Sequence, residues 1–97
     1  MEDRNYILGR ISEERDYQDR KWGDSDDLLN TPADFNTYIN HYATRYLDGT
    51  FRPYSTETLV KFREGMIQTA AIAVAAAEFA GKVLNDEIHR PDVLKAD

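Results

Sequence analysis

The sequence predicts an all-α fold, and three observations carry that expectation. Alanine clusters in one long apolar segment, glycine and proline are few, and β-branched residues nowhere alternate with polar ones over a strand's length. Ninety-seven residues with 41% hydrophobic content make one small domain with a single core. Its body is expected over residues 4–84, followed by a C-terminal tail over 85–97. The expected architecture is a three-helix bundle with a short C-terminal turn, completed by oligomerisation.

The first helix is expected from about Asp3 to Trp22. Leu8, Ile11, Arg15, Gln18 and Trp22 recur at spacings of three and four, with Ile7 beside them, so they share a face. That face begins apolar and turns polar at Arg15 and Gln18. The helix therefore either leaves the core there or lines a pocket, and Trp22 brings an apolar group back to the same side. Gly23 is a natural stop.

Residues 23–30 form an acidic loop containing Asp24, Asp26 and Asp27. A calcium loop of the EF-hand type needs glycine at its sixth position and glutamate at its twelfth. Counting from Asp24 places Leu29 and Phe35 there, which argues for a solvated loop.

Asn30-Thr-Pro-Ala-Asp34 is a helix start: Thr31 as N-cap, Pro32 at the first helical position, Asp34 at the third. The second helix then presents Phe35, Tyr38, Ile39, Tyr42 and Tyr46 on one face and is expected to end at Asp48-Gly49. Three tyrosines on one face suit a half-wet groove or ordinary packing with the hydroxyls at the surface.

After the loop Thr50 to Tyr54, Ser55 caps a core helix from Thr56 to about Leu84, about 42 Å long at 1.5 Å per residue. Leu59, Phe62, Met66, Ala70, Ala73, Ala77 and Ala80 fall on one side of it; Val60, Ile67, Ile72, Val74, Phe79 and Val83 fall on others. One chain of this size cannot cover both sides, so a homo-oligomer joined through helix 56–84 is expected. Pro91 ends any further helix.

Charge and composition narrow the functions. The net charge is −6, which disfavours binding duplex nucleic acid through phosphate neutralisation. Acidic groups outnumber basic ones two to one over residues 1–34, whereas 35–55 hold Arg45 and Arg52 against Asp48 alone. With no cysteine, thiolate zinc sites and thiol nucleophiles are excluded. Met1-Glu-Asp-Arg-Asn is not the start of a secretory leader. Within the core helix the uncharged run from Gly65 to Ala77 is shorter than the about 20 residues a membrane span needs. A soluble cytoplasmic protein without a membrane partner is expected.

No serine elbow or phosphate-cradling glycine loop occurs, and His41 and His89 stand in different settings. The chemical signal lies between Thr37 and Tyr54, where Tyr38, Tyr42, Tyr46, Phe51 and Tyr54 are interspersed with Arg45 and Arg52. Aromatic faces stack on bases and guanidinium forks grip phosphate, which fits a nucleotide pocket. The same residue types are enriched at protein interfaces.

Glu14-Arg15-Asp-Tyr-Gln18-Asp-Arg-Lys21-Trp22-Gly23, followed by a helix and then by Met66-Ile-Gln68-Thr-Ala-Ala-Ile-Ala-Val-Ala-Ala-Ala-Glu78, resembles the small phage-encoded branch of the MazG-like all-α nucleoside triphosphate pyrophosphohydrolases, over about residues 7–81. The resemblance implies a MazG-like helical bundle and a magnesium-dependent hydrolysis of nucleotides to monophosphate and pyrophosphate, with the metal held by Glu-Glu-x-x-Glu and Glu-x-x-Asp motifs on successive helices. Here the matching stretches read Asn40-His41-Tyr-Ala-Thr44 and Gly65-Met-Ile-Gln68, with Glu64 the sole carboxylate within reach. Such a set does not hold two magnesium ions. The expected function is accordingly a non-catalytic nucleotide binder that sequesters a nucleotide or nucleotide-derived signal, in a bacterial host cytoplasm if phage-encoded. Arg15, Gln18, Lys21, Trp22, Tyr38, His41, Tyr42, Arg45 and Arg52 are its expected ligand-binding residues, with no catalytic residue, metal or other cofactor. Two alternatives stand beside it: a magnesium-dependent pyrophosphohydrolase using Glu64, and an acidic helical module that inhibits a host protein through Asp24, Asp26 and Asp27.

Overall fold

The computed structural model describes residues 3–22, 30–44 and 54–85. All regular structure among them is helical: α1 spans Arg4–Trp22, α2 Pro32–Ala43 and α3 Thr56–Leu84.

Each helix begins on a side-chain cap. Asp3 Oδ1 accepts from the Tyr6 amide at 3.0 Å ahead of α1. At α2, Thr31 Oγ1 accepts from Asp34 N at 3.3 Å while Asp34 Oδ2 accepts from Thr31 N at 2.8 Å, a reciprocal capping box, with Pro32 in the first turn. At α3, Ser55 Oγ accepts from Thr58 N at 3.1 Å. Arg20 and Lys21 in the last turn of α1 oppose the negative end of its dipole.

α3 is the common partner, with α1 and α2 both packed along it. The two contacts differ in kind. Between α2 and α3 lies the apolar core: Phe35, Ile72 and Phe79 are buried, with Ile39, Tyr42, Ala75, Ala76 and Val83 packed against them. The Phe35 and Phe79 rings meet at 5.3 Å between centroids and 44° between planes. Between α1 and α3 the polar contacts are ionic or amide: Arg10 Nη2 donates to Glu64 Oε2 at 2.8 Å, Arg15 Nε to Glu78 Oε1 at 2.9 Å, and Gln18 Nε2 to the Gln68 carbonyl at 3.4 Å.

Two expectations are corrected. The inward stripe of α1 runs through Ile7, Ile11, Arg15 and Gln18, while Leu8, expected on the inner face, is 54% exposed. Ile7 and Leu8 are both apolar but lie about 100° apart on the helix, and the ladder to Ile11 and Gln18 selects Ile7. α2 ends at Ala43 rather than at Asp48-Gly49. Thr44 is its C-cap, with a backbone at φ −101° and ψ 1° that has left the helical region, while its amide still donates to the Asn40 and Tyr42 carbonyls. Tyr46, Asp48 and Gly49 lie outside the described residues, as do the acidic loop 23–29 and the turn expected after Asn85.

α3 as a whole is long and apolar enough to cross a membrane by length and composition. The shorter span counted in the sequence demanded an uninterrupted run; a window admitting two charged residues passes. Glu64 and Glu78 on this helix are both ion-paired to α1.

Candidate functional site

The polar turn of α1, the aromatic face of α2 and the middle of α3 enclose a cavity of about 270 Å³. Its apolar side is built by Phe35, Ile72 and Ala75; Trp22, Tyr38 and Tyr42 add aromatic surface, and His41 stands edge-on to Tyr42 with ring centroids 5.2 Å apart. Arg15, Gln18, Asp19 and Asn30 supply the polar wall. Such a volume lies at the lower edge of the about 300–1,000 Å³ typical of small-molecule sites.

Helical spacing explains how these groups come to one place. Arg15, Gln18 and Trp22 are one and two turns apart on α1, and Tyr38, His41 and Tyr42 are one turn apart on α2. The helices share α3 as a wall, so the two triplets face one another across Ile72 and Ala75.

Arg15 is tightly held. Its Nη1 donates to Asp19 Oδ1 at 2.6 Å and its Nε to Glu78 Oε1 at 2.9 Å, and its side chain is 14% exposed. Burial alone would lower its pKa; hydrogen bonds to Glu78 and Asp19 outweigh that and hold it above the ordinary arginine value. A phosphate seeking Arg15 must compete with two carboxylates. Gln18 is only 2% exposed, and its Oε1 has no hydrogen-bond partner among the described residues; Oε1 of Gln68, the residue whose carbonyl Gln18 contacts, is in the same condition. Buried acceptors are nearly always paired, so the unpaired Oε1 of Gln18 in a cavity wall is costly.

Lys21 does not line the cavity. It lies on the exposed side of α1 with its Nζ 5.7 Å from the Trp22 ring and 6.0 Å from the Tyr17 ring. Because Trp22 is itself 41% exposed, this places a cation beside the half-open aromatic edge of the cavity. Arg45 and Arg52 lie outside the described residues. Asp19, Asn30, Phe35, Ile72 and Ala75 join the site without having been singled out in the sequence; only Asp19, four residues after Arg15, carried a local signal of pairing.

Around the stretch where the resembled enzymes carry their metal ligands, Glu64 is bound by Arg10, whose guanidinium is held above its ordinary pKa chiefly by the hydrogen bond to that carboxylate. No three of histidine, aspartate and glutamate converge among the described residues. This donor set does not fit a magnesium pair, which asks for several carboxylate oxygens around each ion.

No protein-family model, curated protein or solved structure matches the chain.

Proposed function

We propose that this protein binds, without cleaving, a small ligand bearing an aromatic base, a nucleotide or nucleotide-derived signal, and acts by sequestering it. The observation that supports this reading most is the cavity itself: Trp22, Tyr38, Tyr42 and His41 offer ring surfaces around it, with amides at its wall. In this reading the base enters between the aromatic groups, where stacking contributes about 1–3 kcal/mol. The phosphates stay at the mouth near Lys21, because Arg15 is already neutralised by Asp19 and Glu78. The resemblance of the Glu14–Gly23 string to nucleotide hydrolases points the same way, and the donor set around Glu64 favours binding over metal-assisted cleavage.

The test is calorimetry of the full chain against nucleosides, nucleoside mono- and triphosphates and cyclic nucleotides. Trp22, the sole tryptophan, serves as a fluorescence reporter. The expected result is binding of at least one base-bearing ligand, weakened about tenfold or more by Tyr42→Ala, with the ligand recovered intact. Absence of binding at high micromolar concentration refutes the reading. Release of pyrophosphate in the presence of magnesium or manganese would replace it by the hydrolase alternative.

A further inference from the structure

Arg15 and Asp19 both line the cavity, and their ion pair leaves much hydrogen-bonding capacity unused. Arg15 donates from Nε to Glu78 and from Nη1 to Asp19, and its Nη2 makes no hydrogen bond among the described residues. Asp19 accepts through Oδ1, and its Oδ2 has no partner among the described residues. The pair thus keeps a donor beside acceptors on one wall.

The pair is also oriented before any ligand arrives. Asp19 stands one turn after Arg15 on α1, and Glu78 on α3 holds the guanidinium from a second direction, so little freedom is lost on binding. Charge decides which part of a ligand comes here. One guanidinium stands against two carboxylates, so a phosphate is repelled and a neutral planar group is admitted. The Arg15 side chain is mostly shielded from water, which strengthens a hydrogen bond made to it, while the Asp19 carboxylate is open to an incoming group.

We infer that the Arg15–Asp19 pair reads the base of the ligand and that this base is guanine; the assignment rests on the nucleotide-binding function proposed above and names its ligand class. The Watson–Crick edge of guanine presents one acceptor, O6, followed by two donors, N1–H and the N2 amine. A guanidinium beside a carboxylate is the complement: Nη2 donates to O6, and the two carboxylate oxygens accept from N1 and N2. Other bases match less well. Adenine and cytosine bring a single amine to that edge and leave a carboxylate oxygen unanswered, whereas uracil and thymine set a second carbonyl oxygen against it, acceptor facing acceptor. Hypoxanthine keeps O6 and N1–H and lacks only the amine, so it isolates the contact to Oδ2. Trp22 and Tyr38 stack on any base and do not choose among them.

Calorimetry of the full chain with the monophosphates of guanosine, inosine, adenosine, cytidine and uridine tests the assignment. The wild-type chain should bind the guanosine nucleotide most tightly, about tenfold more tightly than the inosine nucleotide. Asp19→Asn then separates base reading from folding. Its amide oxygen stays toward Arg15, because an amide N–H cannot face a guanidinium, so the amide nitrogen takes the place of Oδ2 and opposes the guanine amine. The preference for guanosine over inosine should vanish, with binding of the inosine nucleotide and helical circular dichroism retained. A wild-type chain that binds any of the other nucleotides as tightly as that of guanosine overturns the guanine assignment and leaves nucleotide binding standing. So does a folded Asp19→Asn variant that keeps the preference or loses both nucleotides. Absence of binding of every nucleotide at high micromolar concentration overturns both.

Discussion

Replacing Gln18 by leucine separates stability from function. Gln18 is the one buried residue of α1, its Oε1 lacks a partner among the described residues, and the one hydrogen bond its side chain makes among them is a 3.4 Å contact to a carbonyl. That carbonyl, Gln68 O, lies inside α3 and keeps its helical acceptor role without Gln18. The bond is at the long end of useful geometry and contributes little. The unpaired oxygen, by contrast, costs about 1–3 kcal/mol of desolvation. Leucine is close in size and removes the cost, with a small loss from imperfect filling. The balance is a gain of about 1 kcal/mol, equivalent to about 4–8 °C in Tm for a domain of this size. Urea unfolding followed by Trp22 fluorescence and far-ultraviolet circular dichroism measures it. If Gln18 is retained for a ligand, the same substitution weakens binding at least tenfold, the stability–function exchange common at binding sites. A destabilisation beyond about 1 kcal/mol would refute the reasoning, since it would mean the amide is fully satisfied and structural.

Other perturbations follow from the same contacts. Phe79→Ala opens the apolar core against Phe35 and should cost about 3–5 kcal/mol, a large part of the stability of a small domain and measurable as a fall in urea midpoint. Thr31→Ala removes half of the capping box and should cost about 1 kcal/mol, seen as faster amide exchange in the first turn of α2. Glu57, paired to Lys61 at 2.9 Å, has its pKa lowered by that hydrogen bond. A depressed folded-state carboxylate contributes stability above its unfolded pKa and loses it as pH falls through the folded value. Thermal melts of the native chain and Glu57→Gln should therefore differ slightly near pH 7 and converge in acid; divergence in acid would contradict the pairing.

Helix existence, the start of α2 and both ends of α3 were legible in the sequence because they rest on local signals: Thr31-Pro32 with Asp34, Ser55, and an apolar pattern that continues past Glu78 and Lys82 to Leu84. The end of α2 was not. Asp48-Gly49 is the more familiar stop, and nothing in the pattern shows that the backbone leaves the helical region at Thr44. The choice of Ile7 over Leu8 depends on which side of α1 meets α3, a tertiary fact. The candidate site divides the same way. Spacing placed Arg15, Gln18 and Trp22 on one face and Tyr38 and Tyr42 on another, but their meeting, and the pairing of Arg15 with Glu78 sixty-three positions later, depend on how two helices cross a third.

The unlike character of the two contacts made by α3 has a consequence for solution behaviour. α1 is moored to it by guanidinium–carboxylate pairs at Glu64 and Glu78, whereas α2 is seated on phenyl rings. Added salt screens the first, over a Debye length of about 8 Å at physiological strength, while strongly hydrated anions such as sulfate strengthen the second. Screening thus bears on the α1 side of α3 through its ion pairs and leaves the phenyl packing on the α2 side untouched. Since the cavity is walled by both, its polar wall at Arg15 and its aromatic wall at Tyr38 and Tyr42 differ in how they answer to the ionic medium.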